Sequence, residues 1–151
     1  KFKNFDKSEF KKFHPGGSLA IKLKTVGDLM ITGKKIPFVS EKMLMKEALK
    51  IILRKGLGVL IIKNSKGITS GILTDGDIKR LTQKHENIHK LKIKSVMKKK
   101  PISVESNLLA AQALSIMNSK KITSLCVHKG KKINKTIGII HIHSILRANI
   151  S

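Results

Sequence analysis

Apolar positions in this chain come in short runs parted by polar turns, and their period changes along the way. Residues 36–39 read as a short extended segment. Over residues 44–55 the side chains Leu44, Ala48, Ile51 and Ile52 recur at i, i+4, i+7 and i+8, which is one face of a helix. Residues 59–62 and 68–73 are rich in Val, Ile and Leu and flank the polar turn at 63–67, so they predict two joined strands. A further helix is expected from near Asp75, with Thr74 or Asp75 as its cap. The order then recurs. An extended segment at 102–104 leads to a helix over 108–120, with Leu109, Ala113, Ile116 and Met117 on one face. Strands follow over 125–127 and 136–140 about a turn at 129–132, and a last helix starts near Ile142. Ser40 and Ser106 stand ahead of the first helix of each set, where a capping hydroxyl is useful.

The two sets match position by position. A shift of 65 residues carries Val39 onto Val104, Ala48-Leu49 onto Ala113-Leu114 and Leu60-Ile61-Ile62 onto Leu125-Cys126-Val127. Two extra residues enter the second copy's loop, and the shift becomes 67. It then carries Gly71-Ile72-Leu73 onto Gly138-Ile139-Ile140 and Arg80 onto Arg147. Leu29-Met30 leads the first copy and Val96-Met97 the second, again 67 apart. A β-α-β-β-α unit written twice predicts an α/β fold of the α+β kind. Its two sheets would pack about a pseudo-twofold axis with helices outside. Neither copy alone offers a comfortable core. The chain divides into a leader over 1–24, copies over 25–83 and 96–151, and a linker over 84–95.

Composition adds limits. No apolar run among the 151 residues approaches the ~18–20 that span a bilayer, so no membrane partner is expected. The opening Lys1-Phe2-Lys3-Asn4-Phe5 is no secretory signal, and without an initiator Met the chain reads as a piece of something longer. The single Cys126 excludes an internal disulfide framework and fits a reducing bacterial cytoplasm. Within Leu125-Cys126-Val127 it reads as a small buried hydrophobe. A net charge of +23 raises the question of nucleic acid. Only three of the 32 basic residues are Arg, there is no Trp or Tyr, and the lysines are scattered, densest at Lys98-Lys99-Lys100 and Lys120-Lys121. Arg forks and stacking platforms are both missing, so the charge reads as lysine bias and no nucleic-acid partner is expected.

The best chemical signal is the run from Gly71 to Ile78, where a buried strand ends and a helix begins. Gly71 permits a ligand or another chain close to the strand backbone. Thr74 and Asp77 lie one helical step apart, and a hydroxyl beside a carboxylate suits a ribose diol. The same spacing is also that of an ordinary capped helix start with acids in its first turn. Asp77→Ala is expected to weaken binding and leave the melting temperature nearly unchanged; a large loss of stability would mark a cap alone. In the second copy His141 replaces Thr and Ser144 replaces Asp. His141 and His143, two apart, could line a cleft, cap the helix or pair on a metal, but no Cys or carboxylate cluster accompanies them and no metal is expected.

Two β-α-β-β-α copies, each ending in this strand-to-helix motif, resemble the CBS domain pair, or Bateman module. The resemblance rests on the duplication, the leading Met, the Pro, the Ala-Leu helix pair and the ending G-I-L-T-x-x-D. It implies that Thr74 and Asp77 hold the ribose of an adenine nucleotide or related ligand, and that the second motif is altered. Thr123, Ser124, His141 and His143 complete the implied site. CBS pairs also often dimerise through their helices.

The leader carries Phe2, Phe5, Phe10 and Phe13, then Phe13-His14-Pro15-Gly16-Gly17-Ser18-Leu19. By itself this is a turn before a helix. Joined to a CBS pair, it resembles the end of the sugar isomerase (SIS) domain in arabinose 5-phosphate isomerases of the KpsF/GutQ type. Ile122-Thr123-Ser124 and the string from His141 to Ala148 are similar to that family too. The resemblance implies a regulatory module of an enzyme interconverting ribulose 5-phosphate and arabinose 5-phosphate for Kdo and lipopolysaccharide synthesis. His14 would be a remnant of an active site whose other residues, and whose SIS domain, lie upstream. No acid/base pair with a phosphate grip is present, so the piece is expected to be inactive alone. No cofactor is required. The expected ligands are AMP, ATP or CMP-Kdo, and the expected assembly is a homodimer or homotetramer. A purely structural oligomerisation module is the alternative.

Overall fold

A computed structural model of the chain describes Leu19 and residues 22–149. The Phe-rich leader and His14 lie outside the described residues, so the isomerase remnant expected there has no structural account. The first copy contains β1 (Phe38–Ser40), α2 (Met45–Lys55), β2 (Val59–Lys63), β3 (Thr69–Thr74) and α3 (Asp75–Lys84). The second contains β5 (Ser103–Glu105), α5 (Ala110–Lys120), β6 (Ser124–His128), β7 (Gly138–His141) and α6 (Ile142–Arg147). Ahead of them stand the short helices α1 (Val26–Leu29) and α4 (Ile93–Val96), and strand β4 (Lys98–Lys99) follows α4.

In each copy the first strand pairs parallel to the second, and the second antiparallel to the third. β2 is buried along Val59–Ile62 on both faces, which is why its sequence is a continuous β-branched and Leu run rather than an alternation. Leu60, Ile62 and Leu73 face the first copy's helices with Met45, Ala48 and Ile52. Leu125, Val127 and Ile140 meet Ala110, Ala113, Leu114 and Met117 in the second. The alternate positions Val59, Ile61, Cys126 and Ile139 form a third cluster between the two sheets. Face-to-face sheets with helices outside are therefore observed. At the opposite positions Thr69 and Thr136, related by the 67-residue shift, the two hydroxyls meet at 2.6 Å, as a pseudo-twofold axis requires.

The segments just ahead of the first strand of each copy, residues 25–35 and 92–100, called leaders from here on, cross over. Ile31 bridges to Ile139 of the second copy, and the amides of Val26 and Gly27 donate to Leu108 and Ser106. Val26 is fully buried in the second copy's core. Conversely β4 pairs with β3 of the first copy, and Ile93 is fully buried in the first copy's core. Gly71 and Gly138 make these crossings possible. A Cβ on Gly71 would stand 2.9 Å from the Lys98 carbonyl oxygen and against the Met97 sulfur, and one on Gly138 3.0 Å from the Ile31 carbonyl oxygen. The close approach expected at Gly71 is thus made by another segment of the same chain.

Some expected details shift. The helices begin after Leu44 and Leu109, which are N-caps rather than first members of the buried face. Ser40 and Ser106 do not cap them. Ser40 Oγ accepts from the Lys42 amide, and Ser106 docks the leader through its carbonyl. The extended turn between each serine and its helix moves the helix start several residues downstream.

A cleft between the two copies

The two third-strand ends and the helix starts that follow them open into one cleft of about 1100 Å³. That volume suits a small organic ligand. Thr74, Asp77, Thr123, Ser124, His141, His143 and Ser144 all line it, so the structure brings the sequence-predicted residues of both motifs together. The symmetry is visible in the backbone: the Asp75 amide donates to the Gly58 carbonyl, and the matching Ile142 amide donates to the Thr123 carbonyl.

In the first half, Thr74 caps α3. Thr74 Oγ1 accepts from the Asp77 amide at 3.2 Å, and Asp77 Oδ2 accepts from the Thr74 amide at 3.0 Å. This reciprocal box satisfies two donors that a helix start otherwise leaves free. Asp77 Oδ1 also accepts from Arg80 Nη2 at 2.7 Å and lies 3.1 Å from Lys98 Nζ. Burial by itself would raise the Asp77 pKa. The Thr74 amide, Arg80, Lys98 and the Thr74 hydroxyl together outweigh it, so the carboxyl stays below its ordinary value and is charged at neutral pH.

The second half differs chemically. His141 caps α6 by accepting from the His143 amide on Nδ1 at 3.1 Å, and the two rings stack with centroids 4.8 Å apart. Burial, followed by the neighbouring His143, lowers the His141 pKa; the Leu57 carbonyl opposes this and Arg147 adds to it. His141 is therefore neutral at pH 7, a polar and uncharged lining group. Opposite it in register, Ser124 is 7% exposed, and its Oγ has no hydrogen-bond partner among the described residues. A buried hydroxyl left unpaired is costly, and a ligand atom in the cleft would satisfy it.

Sequence reasoning missed the cations. Arg80, Lys98, Lys99, Lys100, Lys121 and Arg147 line the cleft against only two carboxylates, Asp75 and Asp77. Arg80 and Arg147 had surfaced only as a matched pair in the duplication, and Lys98-Lys99-Lys100 only as the densest basic run. Cys126 meets its expectation as a buried hydrophobe: burial pushes its thiol up to about 11, with the Thr136 hydroxyl opposing. Among the described residues no helix is long and apolar enough to cross a membrane.

Comparison with known proteins gives a consistent picture. The CBS domain family model matches residues 26–84 and 93–151. Arabinose 5-phosphate isomerase KdsD of Yersinia pestis is 38% identical over 151 residues, and that of Escherichia coli K12 is 36% identical. Each match covers 99% of this chain and 45% of the relative, so the chain spans just under half the length of these enzymes. The fold resembles that of a CBS-domain containing protein of Agrobacterium tumefaciens (TM-score 0.76, 19% identity, 85% of this chain and 95% of that one). It also resembles CBSX2 in complex with AMP (TM-score 0.72, 21% identity, 83% of this chain and 96% of that one).

Proposed function

This chain belongs to the CBS domain family, and we propose that its role is to sense a small anionic ligand held in the cleft between the two copies. The observation that carries this reading is the cleft's chemistry. Six cationic side chains face two carboxylates, and the buried Ser124 hydroxyl there has no partner. A nucleotide or nucleotide-sugar fits such a lining. Its anionic groups meet Lys and Arg, its ribose hydroxyls meet Thr74 and Asp77, and its base supplies an atom to Ser124. The AMP held by CBSX2, which shares the fold, agrees with this class of ligand.

The likeness to KdsD supports a regulatory place beside an arabinose 5-phosphate isomerase, with the catalytic chemistry supplied by other parts of that enzyme. An activated sugar further along the same synthesis, such as CMP-Kdo, has the ribose and negative charge that the cleft favours. Calorimetric titration of this chain with AMP, ATP and CMP-Kdo tests the reading. Saturable heat with at least one of them is expected, and no heat with any overturns it. A second reading, assembly of copies through outer helices, has one observation in its favour: Leu53 on α2 is 81% exposed. Light scattering distinguishes it, since a stable oligomer that binds none of these ligands supports assembly alone.

A further inference from the structure

We propose that Lys98 is the residue by which the cleft reads the charge of its ligand, admitting phosphorylated molecules and rejecting their neutral counterparts. This rests on the ligand-sensing reading above and assigns its selectivity to one side chain. Asp77 Oδ1 is shared by two cations, Arg80 at 2.7 Å and Lys98 at 3.1 Å. They are not equivalent. Arg80 sits one turn along the same helix and completes a short pair wherever the leaders lie. Lys98 arrives from the other copy's side of the cleft, on β4; the two side chains are alike in exposure, 61% for Arg80 and 64% for Lys98, and differ in the segment that holds them. Two cations on one carboxylate leave a surplus positive charge beside the hydroxyl of Thr74.

The Lys98 backbone is fixed while its head is free to move. β4 pairs Lys98 with Ile72, and the Lys98 carbonyl lies against Gly71, so the strand cannot shift far. The ammonium, on four methylenes, can swing from Asp77 to another acceptor within a few ångströms. A ligand whose hydroxyls meet Thr74 and Asp77 displaces Lys98 from the carboxylate. If that ligand carries a phosphate, the ammonium moves onto it and the lost ion pair is replaced by a charge-assisted one. A neutral ligand makes the same displacement and offers nothing in return. The matching position in the first leader is Ile31, which lines the same cleft and carries no charge. Lys99, Lys100, Lys121 and Arg147 also line the cleft, and what sets Lys98 apart from them is its place on the Asp77 carboxylate.

The test compares AMP with adenosine, two probes that differ by one phosphate, by calorimetry on the whole chain. Wild type is expected to bind AMP more tightly. Lys98→Met should narrow the AMP-to-adenosine ratio by at least about tenfold, the weight of one charge-assisted hydrogen bond. The change should come through weaker AMP binding, with adenosine unchanged or tighter. Lys98→Gln guards against an effect of the Met side chain and should behave alike. Lys132→Met, which removes an exposed charge outside the cleft, should leave the ratio in place. An unchanged ratio in Lys98→Met, an equal loss for both probes, or the same narrowing from Lys132→Met overturns the assignment to Lys98. Absence of binding by either probe, ATP or CMP-Kdo in wild type overturns the underlying ligand-sensing reading instead, and this assignment with it.

Discussion

The Asp77 carboxylate accepts from the Thr74 amide on one oxygen and from Arg80 and Lys98 on the other, while the Asp77 amide donates to Thr74. The side chain that faces the cleft therefore also holds the start of α3. Its spacing from Thr74 favoured a helix cap, and only the duplication and the family resemblance raised a ribose clamp beside it. The geometry adopts the cap and leaves the clamp compatible with it, because Thr74 and Asp77 both line the cleft. The reciprocal cap overturns the expectation that Asp77→Ala spares stability: the substitution should destabilise the fold by about 1–2 kcal/mol, as for loss of other caps, as well as weaken any ligand. The pair with Arg80 was readable as an i, i+3 spacing. Lys98 was not, because only the crossing of the second leader onto the first sheet brings it there. The pH dependence follows from the lowered carboxyl pKa. A depressed folded-state value contributes stability above the unfolded pKa of about 3.9 and loses it as pH falls through the folded value. Urea unfolding of wild type and Asp77→Ala should therefore differ most near pH 7 and converge toward pH 3.

At the level of elements, the duplication reaches into backbone conformation. α2 ends at Gly56 with φ 71°, and α5 ends at Lys121 with φ 58° in the same left-handed region. Gly33 (φ 62°) and Lys100 (φ 54°), 67 residues apart, repeat the pattern in the leaders. One backbone requirement is thus met by glycine in the first copy and by lysine in the second. A side chain in this region costs about 1–2 kcal/mol, partly offset by the greater freedom glycine gives the unfolded chain. Lys121→Gly should therefore raise stability by about 0.5–1 kcal/mol, read as a higher urea midpoint at unchanged slope. Gly56→Lys should lower it. The long elements were legible to within a residue or two because burial imposes a period on Ala48, Ile52, Ala113 and Met117. α1 and α4, four residues each, and the two-residue β4 were not. They are too short to show a period, and their partners lie in the other copy.

Across the whole molecule, the crossed leaders make each copy's core depend on residues outside its own β-α-β-β-α unit. Ile93 begins the second family match, yet it is fully buried with Met45, Leu60 and Leu73 of the first copy. Val26 does the reverse. Between the sheets, Ile36, Val59 and Ile61 cover Cys126 and Ile139, so neither sheet can lose its partner without exposing a continuous apolar face. Unfolding of one copy therefore removes both a leader and a sheet face from the other, and the two should melt as one unit. Ile93→Ala tests this. Truncating a fully buried Ile costs about 2–5 kcal/mol, enough to consume a large part of a small domain's stability. Native-state amide exchange then reads where the loss falls. A single cooperative unit loses protection by the same increment in β2 and β3 and in the distant β6 and β7. Copies that open independently lose it in β2 and β3 alone, because Ile93 is packed in the first copy's core. The first outcome is expected. It follows from the shared cluster of Ile36, Val59, Ile61, Cys126 and Ile139, which cannot stay intact when one sheet opens alone.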